Sequence, residues 1–260
     1  MPERRPAGRW AGLSLALLLV LAGSLGAQTR DLFGKITFPL GTVEAKQGVA
    51  GDWKRVTLNQ ELFVGDHLKT QAKSRAEITL RGGGKFRIGE LTELELTMAK
   101  VAGLKKDFAA TISRGQVWVA VKAAFGETKN VAVRTPTAVA AIRGTTFRAV
   151  ADTAMSSVLL YEGEIDVIWS QVVDQAGQGQ QGPGGQGGFQ IGAPTEVAPP
   201  QQIPGPFEIS LDDWIKLVAG MQVNVRSDGK YELFEFDQEA DAQLEFVRWN
   251  RERDALDDGP

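Results

Sequence analysis

Few residues in this chain of 260 belong to the types that make or break bonds. Cysteine is absent, which excludes disulfides, thiolate nucleophiles and Cys-ligated metals. The single imidazole, His67, is a narrow basis for a catalytic triad and removes most zinc sites. Glu90, Glu93 and Glu95 could form an acid pair or a calcium site, but strand alternation puts Glu93 and Glu95 on one face. Solvent is the expected neighbour of that face. Gly82-Gly83-Gly84-Lys85 lacks the following Ser or Thr and the helix of a phosphate-binding loop, so it reads as a tight turn. Gly65-Asp66 reads as a turn rather than a metal loop, with His67 as a turn residue beside it. Trp118, Trp169, Trp214 and Trp249 are expected in cores rather than on sugar platforms. No cofactor is implied, and no enzyme activity is expected.

The elements that would carry these residues are strands. Arg75–Leu80 and Thr92–Leu96 alternate apolar with polar residues, as does Val56–Leu58, the period of a half-buried strand. Gln116–Val121, Ser157–Tyr161 and Ile165–Trp169 are further β-rich runs, the last two separated by the turn Glu162-Gly163-Glu164. Thr135-Pro136 ends one strand, because proline fixes φ and donates no hydrogen bond. Val139–Ala141 is apolar throughout, which suits a strand buried on both faces. No long helical pattern interrupts residues 36–173. The expected fold is all-β: stacked short strands forming a sandwich, a roll or a short β-solenoid, with a small α+β C-terminal appendage.

The ends of the chain differ from this middle. Arg4, Arg5 and Arg9 precede an apolar run from Trp10 to Leu25, then small residues at Gly26-Ala27, the order of a secretory signal peptide. Cleavage after Ala27 would take the net charge from −3 to −5 and leave no stable transmembrane segment. An uncleaved anchor is the alternative. The expected location is periplasmic or extracellular. A nearly balanced charge argues against nucleic acid as a partner. Residues 174–206 are Gly/Gln-rich and then Pro-rich, a linker with little apolar surface to order it. Within 207–260, Ser210 is expected to cap a helix with Trp214, Leu217, Val218 and Met221 on one face. Gln222–Val225 and Lys230–Phe236 read as a hairpin about Ser227-Asp228-Gly229. Asp237–Leu256 reads as a helix with Leu244, Val247 and Trp249 near its apolar side, docking back on the β domain.

Residues 41–167 resemble the FecR domain family of the bacterial cell envelope. Leu62-Phe63-Val64-Gly65-Asp66-His67-Leu68-Lys69-Thr70 is similar to the family's Gly-Asp turn into a strand. Ser113-Arg114-Gly115-Gln116-Val117 is similar to its Arg-Gly step into a central strand. The most specific stretch combines Thr135-Pro136 with Ile142-Arg143-Gly144-Thr145-Thr146-Phe147, and a later Glu162-Gly163-Glu164 completes the pattern. The physical reading gives Arg143, Gly144 and Thr145 structural roles, since a buried guanidinium requires carbonyl or carboxylate partners.

For the founding members, the resemblance implies signal transfer from an outer-membrane transporter to a cytoplasmic sigma factor. Only residues 1–9 precede the apolar run here, so direct anti-sigma activity is not expected. The expected function is that of an extracytoplasmic, non-catalytic binding or scaffold module contacting an envelope protein or polysaccharide. The alternative is an accessory regulator of envelope signalling that works through a separate membrane partner.

Overall fold

The computed structural model describes residues 30–178 and 214–257. The expected signal peptide, most of the linker and the Ser210 cap lie outside them. Among the described residues, the chain forms seventeen strands in two facing layers joined by one shared strand.

Sheet I contains β4 (Glu61–Phe63), β1 (Leu32–Leu40), β6 (Arg75–Leu80), β7 (Lys85–Ile88), the second part of β9 (Lys105–Ala120), β12 (Thr146–Ala151), β13 (Met155–Glu162), β16 (Met221–Arg226) and β17 (Tyr231–Glu235), in that spatial order. Sheet II contains β3 (Lys54–Arg55), β2 (Val43–Gln47), β5 (Asp66–Thr70), β8 (Glu93–Ala102), the first part of β9, β10 (Thr128–Arg134), β11 (Ala138–Arg143), β14 (Glu164–Trp169) and β15 (Ile215–Val218). Every pairing is antiparallel except β9 with β10. The expected all-β architecture is present, as a two-layer arrangement between which the chain steps repeatedly.

Alternation places one set of side chains between the layers. Phe33, Ile36, Ile78, Phe86, Val117, Val119 and Phe147 from sheet I meet Leu68, Leu94, Phe108, Ile112, Val131, Val133 and Val167 from sheet II, all fully buried. Phe33 stands edge-on to Phe86 and Phe108, with ring centroids 6.2 and 5.5 Å away.

Strand β9 crosses between the layers at Gly115. Up to Arg114 it pairs with β8, and from Gly115 it pairs with β12. Gly115 has φ +94°, and a Cβ there would lie 2.3 Å from the Thr92 hydroxyl oxygen, so no side chain fits. The Thr92 hydroxyl accepts from the Gln116 amide at 3.0 Å and fixes the crossing.

Helix α1 (Ser170–Gln178) follows β14 and carries the chain past residue 173 before the described residues end. Beyond β17, α2 (Gln238–Gln243) is capped by Asp237, whose carboxylate accepts from the Glu239 and Ala240 amides at 3.0 Å each. Leu244, in an extended conformation, separates it from α3 (Glu245–Asp257).

Five local expectations are corrected. Trp214–Met221 is not a helix: Ile215–Val218 is strand β15 on the open edge of β14, and Gly220 at φ +91° turns the chain into β16. Pairing with a waiting strand satisfies the backbone of a short segment that would be marginal as a helix. Val56–Leu58 is not a strand, because the Thr57 amide is taken by the Gln60 side chain and Asn59 sits at φ +63°. Val139–Ala141 is not buried on both faces, since Ala138, Ala140 and Ile142 are buried and the residues between them are half-exposed. His67 lies within strand β5, opposite Lys46 and Glu95, rather than in the turn. Leu244 is exposed, because it occupies the break between α2 and α3.

Candidate functional site

The motif residues occupy turns and core positions. Gly65 turns at φ +86°, and the carboxylate of buried Asp66 accepts from the Phe63 amide at 2.9 Å, closing that turn. Arg114 is exposed and lies 3.6 Å from Glu93, just before the Gly115 crossing. Thr135 and Ala138 bond reciprocally through the Thr135 hydroxyl at 2.9 Å, and Pro136 is the exposed tip between them. The Arg143 backbone lies opposite Asn130. Gly144 has φ +66° with open space around it, so it serves backbone conformation rather than close approach. Thr145 is buried, Phe147 is fully buried, and Gly163 at φ +87° packs against Thr145. Gly144, Thr145 and Gly163 meet at one corner, and the other motif residues lie at separate places along the sheets.

The glycine turn between β6 and β7 is held by lysines. Lys106 donates to the Gly82 carbonyl at 2.8 Å, and Lys129 donates to the Lys122 carbonyl at 3.0 Å. Both lysines also pair with Glu127. Bonds from Lys106, the Ala124 amide and Lys129 hold its carboxyl down at about 2. These ammonium groups already have carboxylate and carbonyl partners, which makes the turn a braced structural element.

The strongest concentration of charge lies on the outer face of sheet I. A cross-strand row runs Phe38, Glu77, Arg87, Trp118, Arg148 and Leu159, each opposite the next. Glu77 and Arg87 are 1% and 0% exposed. Arg87 Nε donates to Glu77 at 2.8 Å, Arg253 from α3 donates to Glu77 at 2.7 Å, and the Thr37 hydroxyl donates at 2.8 Å. Burial alone would raise the Glu77 carboxyl, but the bonds from Arg253, Arg87 and Thr37 outweigh it and hold the group far below the usual carboxylate range.

Helix α3 covers this row. Asp254 pairs with Arg87 and accepts from the Trp118 indole at 3.0 Å, while Asp257 pairs with Arg87 at 3.0 Å and Lys85 at 3.5 Å. Burial raises the Asp254 carboxyl despite Arg87 and Trp118. Glu245 pairs with Arg75, and Asp241 in α2 pairs with Arg148 and accepts from the Tyr161 hydroxyl at 2.7 Å. Trp118 packs tilted against Tyr161 with centroids 4.4 Å apart, and Arg253 lies over Phe38 at 4.5 Å. Sequence reading expected the C-terminal helix to dock but did not find this network. Charged residues between core residues are the ordinary pattern of a half-buried strand, so nothing in the sequences of β6, β7 and β12 marked Glu77, Arg87 and Arg148 as buried.

The outer face of sheet II is its counterpart. The row there runs Met98, Ala109, Ala132, Ala141, Asp166 and Lys216. Met98, Ala132, Ala141 and Asp166 of that row line a depression edged by Asp107, Asn130 and Glu164.

The architecture so far defines an all-β, two-layer domain whose motif residues build turns, with its charged chemistry spent on packing. The sequence places it more narrowly: residues 66–166 match the family model described as FecR protein, in agreement with the resemblance read from the motifs. The match is shorter than the resemblance read from the motifs, and β1–β4 with β15–β17 complete the layers outside it. No curated protein matches the sequence. Two crystal structures of a candidate anti-sigma factor from Parabacteroides distasonis are similar at 14% and 13% identity, with TM-scores of 0.43 and 0.42. The alignments cover 68% of this chain and 63% and 62% of theirs, so the chain spans less than two thirds of those proteins.

Proposed function

We propose that this protein acts outside the cytoplasmic membrane as a non-catalytic binding module that regulates envelope signalling through a separate partner. The observation that carries this reading is the FecR match over residues 66–166. Strand β17 supports a binding role: it pairs only with β16 among the described residues, and Tyr231, Leu233 and Phe234 on it are all exposed. Such an edge suits addition of an extended peptide strand. The arginine and basic n-region pattern before Trp10 supports export.

Deletion of the gene followed by transcript profiling tests the regulatory part; unchanged envelope-response transcripts would sink it. Fractionation with N-terminal sequencing tests the location, with a mature start at Gln28 expected and recovery in the soluble cytosol counting against it. The second reading is a scaffold for an envelope protein or polysaccharide, which the β17 edge serves equally well. Capture of a specific envelope partner by the full chain, with transcripts unchanged in the deletion strain, would select it.

A further inference from the structure

Four strands end the two sheets among the described residues, and three of them are guarded against further pairing. In sheet II, β3 has two residues, both basic, and β15 has four, with exposed Lys216 among them. In sheet I, β4 has three residues. Short length and basic side chains are the usual protection of an open edge. Strand β17 carries neither. From Tyr231 to Glu235 it has no lysine, proline or bulge, and all five residues are exposed.

The ladder with β16 decides which backbone groups β17 offers outward. The Arg226 amide donates to the Lys230 carbonyl at 2.8 Å, and the Phe236 amide donates to the Gly220 carbonyl at 3.2 Å. Even-numbered residues therefore turn their amides and carbonyls to β16, with no shift of register between them. Tyr231, Leu233 and Glu235 turn theirs to the open side, a line of three donors and three acceptors.

The geometry points to a second copy of this chain as the occupant, joined β17 to β17 in antiparallel register about a two-fold axis at Leu233. This names the partner of the edge given a binding role above, and in that it rests on the same reading. In this register Leu233 faces its own counterpart and Tyr231 faces the counterpart of Glu235, which bonds every outward group of both strands. The Tyr231 hydroxyl meets a carboxylate and Glu232 lies opposite a phenyl ring, so no carboxylate faces another. An axis at Glu232 or Glu235 sets that carboxylate directly against its counterpart. An axis at Tyr231 or Phe234 avoids this but runs part of each strand past the end of the other. The sequence of β17 is thus complementary to itself in one register, which pairing with an unrelated peptide does not require.

The chain has no cysteine, so Leu233→Cys introduces a sole thiol that reads the register. Opposed hydrogen-bonded residues have Cα atoms about 5.5 Å apart, within disulfide reach. Tyr231→Cys lies on the same open side but about 14 Å from its counterpart at the rise of a strand. So small an interface is weak, so the full chain is oxidised mildly at about 100 μM. Covalent dimer should form at least tenfold faster in L233C than in Y231C. Equal rates, or no dimer in either, would overturn the proposal.

Sedimentation of the unaltered full chain is the second measurement. Its mass should rise from monomer towards dimer between about 1 and about 100 μM, as a small interface allows. Leu233→Pro removes an outward amide and spares the bonds to β16, so it should stay monomeric throughout. A monomer at every concentration, or a dimer indifferent to Leu233→Pro, refutes self-pairing. The regulatory reading is judged by transcripts, so either can fail without the other.

Discussion

The two outer faces of this molecule are built on similar ladders and solve opposite problems. On sheet I the row from Phe38 to Leu159 contains a carboxylate, two guanidinium groups and an indole, and the C-terminal helices cover it. On sheet II the corresponding row has three adjacent alanines and ends in Asp166 and Lys216. Large charged side chains in mid-strand commit a face to a partner, because each needs several bonds to balance its desolvation. Alanines commit a face to nothing. The difference teaches that the covered face is energetically coupled to the rest of the fold, while the other is free to vary.

The comparison breaks most readily at Glu77. Glu77→Ala leaves fully buried Arg87 without its inner carboxylate and removes the anchor of Arg253, and should cost about 3–5 kcal/mol in denaturant unfolding. A loss below about 1 kcal/mol would mean that the network contributes little. Gly115→Ala comes next. The backbone strain of a positive φ together with the clash on Thr92 should cost about 2–3 kcal/mol, read as a shifted unfolding midpoint.

Acid should weaken the covered face in a defined direction. Glu77, lowered on folding, contributes stability that is complete above its ordinary 4.5 and is lost as pH falls towards its folded value. Asp254, raised on folding, works in reverse: its contribution is present below its ordinary 3.8 and is lost as pH rises through its folded value. Unfolding midpoints from pH 7 to 3 should therefore fall less steeply in Glu77→Gln and more steeply in Asp254→Asn than in the parent. Parallel curves would contradict the assignment. The smallest effect belongs to sheet II, where Ala132→Thr should change stability by less than about 0.5 kcal/mol by the same measurement.

How much of this was legible in the sequence follows from what alternation can encode. Strands β6 and β8 were visible because their apolar residues recur every second position, β13 and β14 as β-rich runs, and Gly163 marks the turn between the last two. Alternation also told which side chains leave the core, but not what meets them. Glu77 and Glu93 look alike in sequence, yet Glu77 is buried under α3 and Glu93 stays half-exposed. The Trp214 segment misled for a related reason. Its apolar residues fit a helical face, and only the open edge of β14, brought there by tertiary folding, decides for a strand. The Arg-Gly step was recognised as a motif, whereas its role required knowing that β9 pairs with different neighbours on either side of it.

That shared strand has a consequence for how the chain tolerates length changes. Because β9 belongs to both layers, one lost or gained residue between Phe108 and Val119 would turn core side chains outward in one layer while fixing the other out of step. Insertions should accumulate instead in the exposed stretch from Lys122 to Gly126, which no ladder counts. The crossing at Gly115 thus acts as a common ruler, by which each layer is measured against the other.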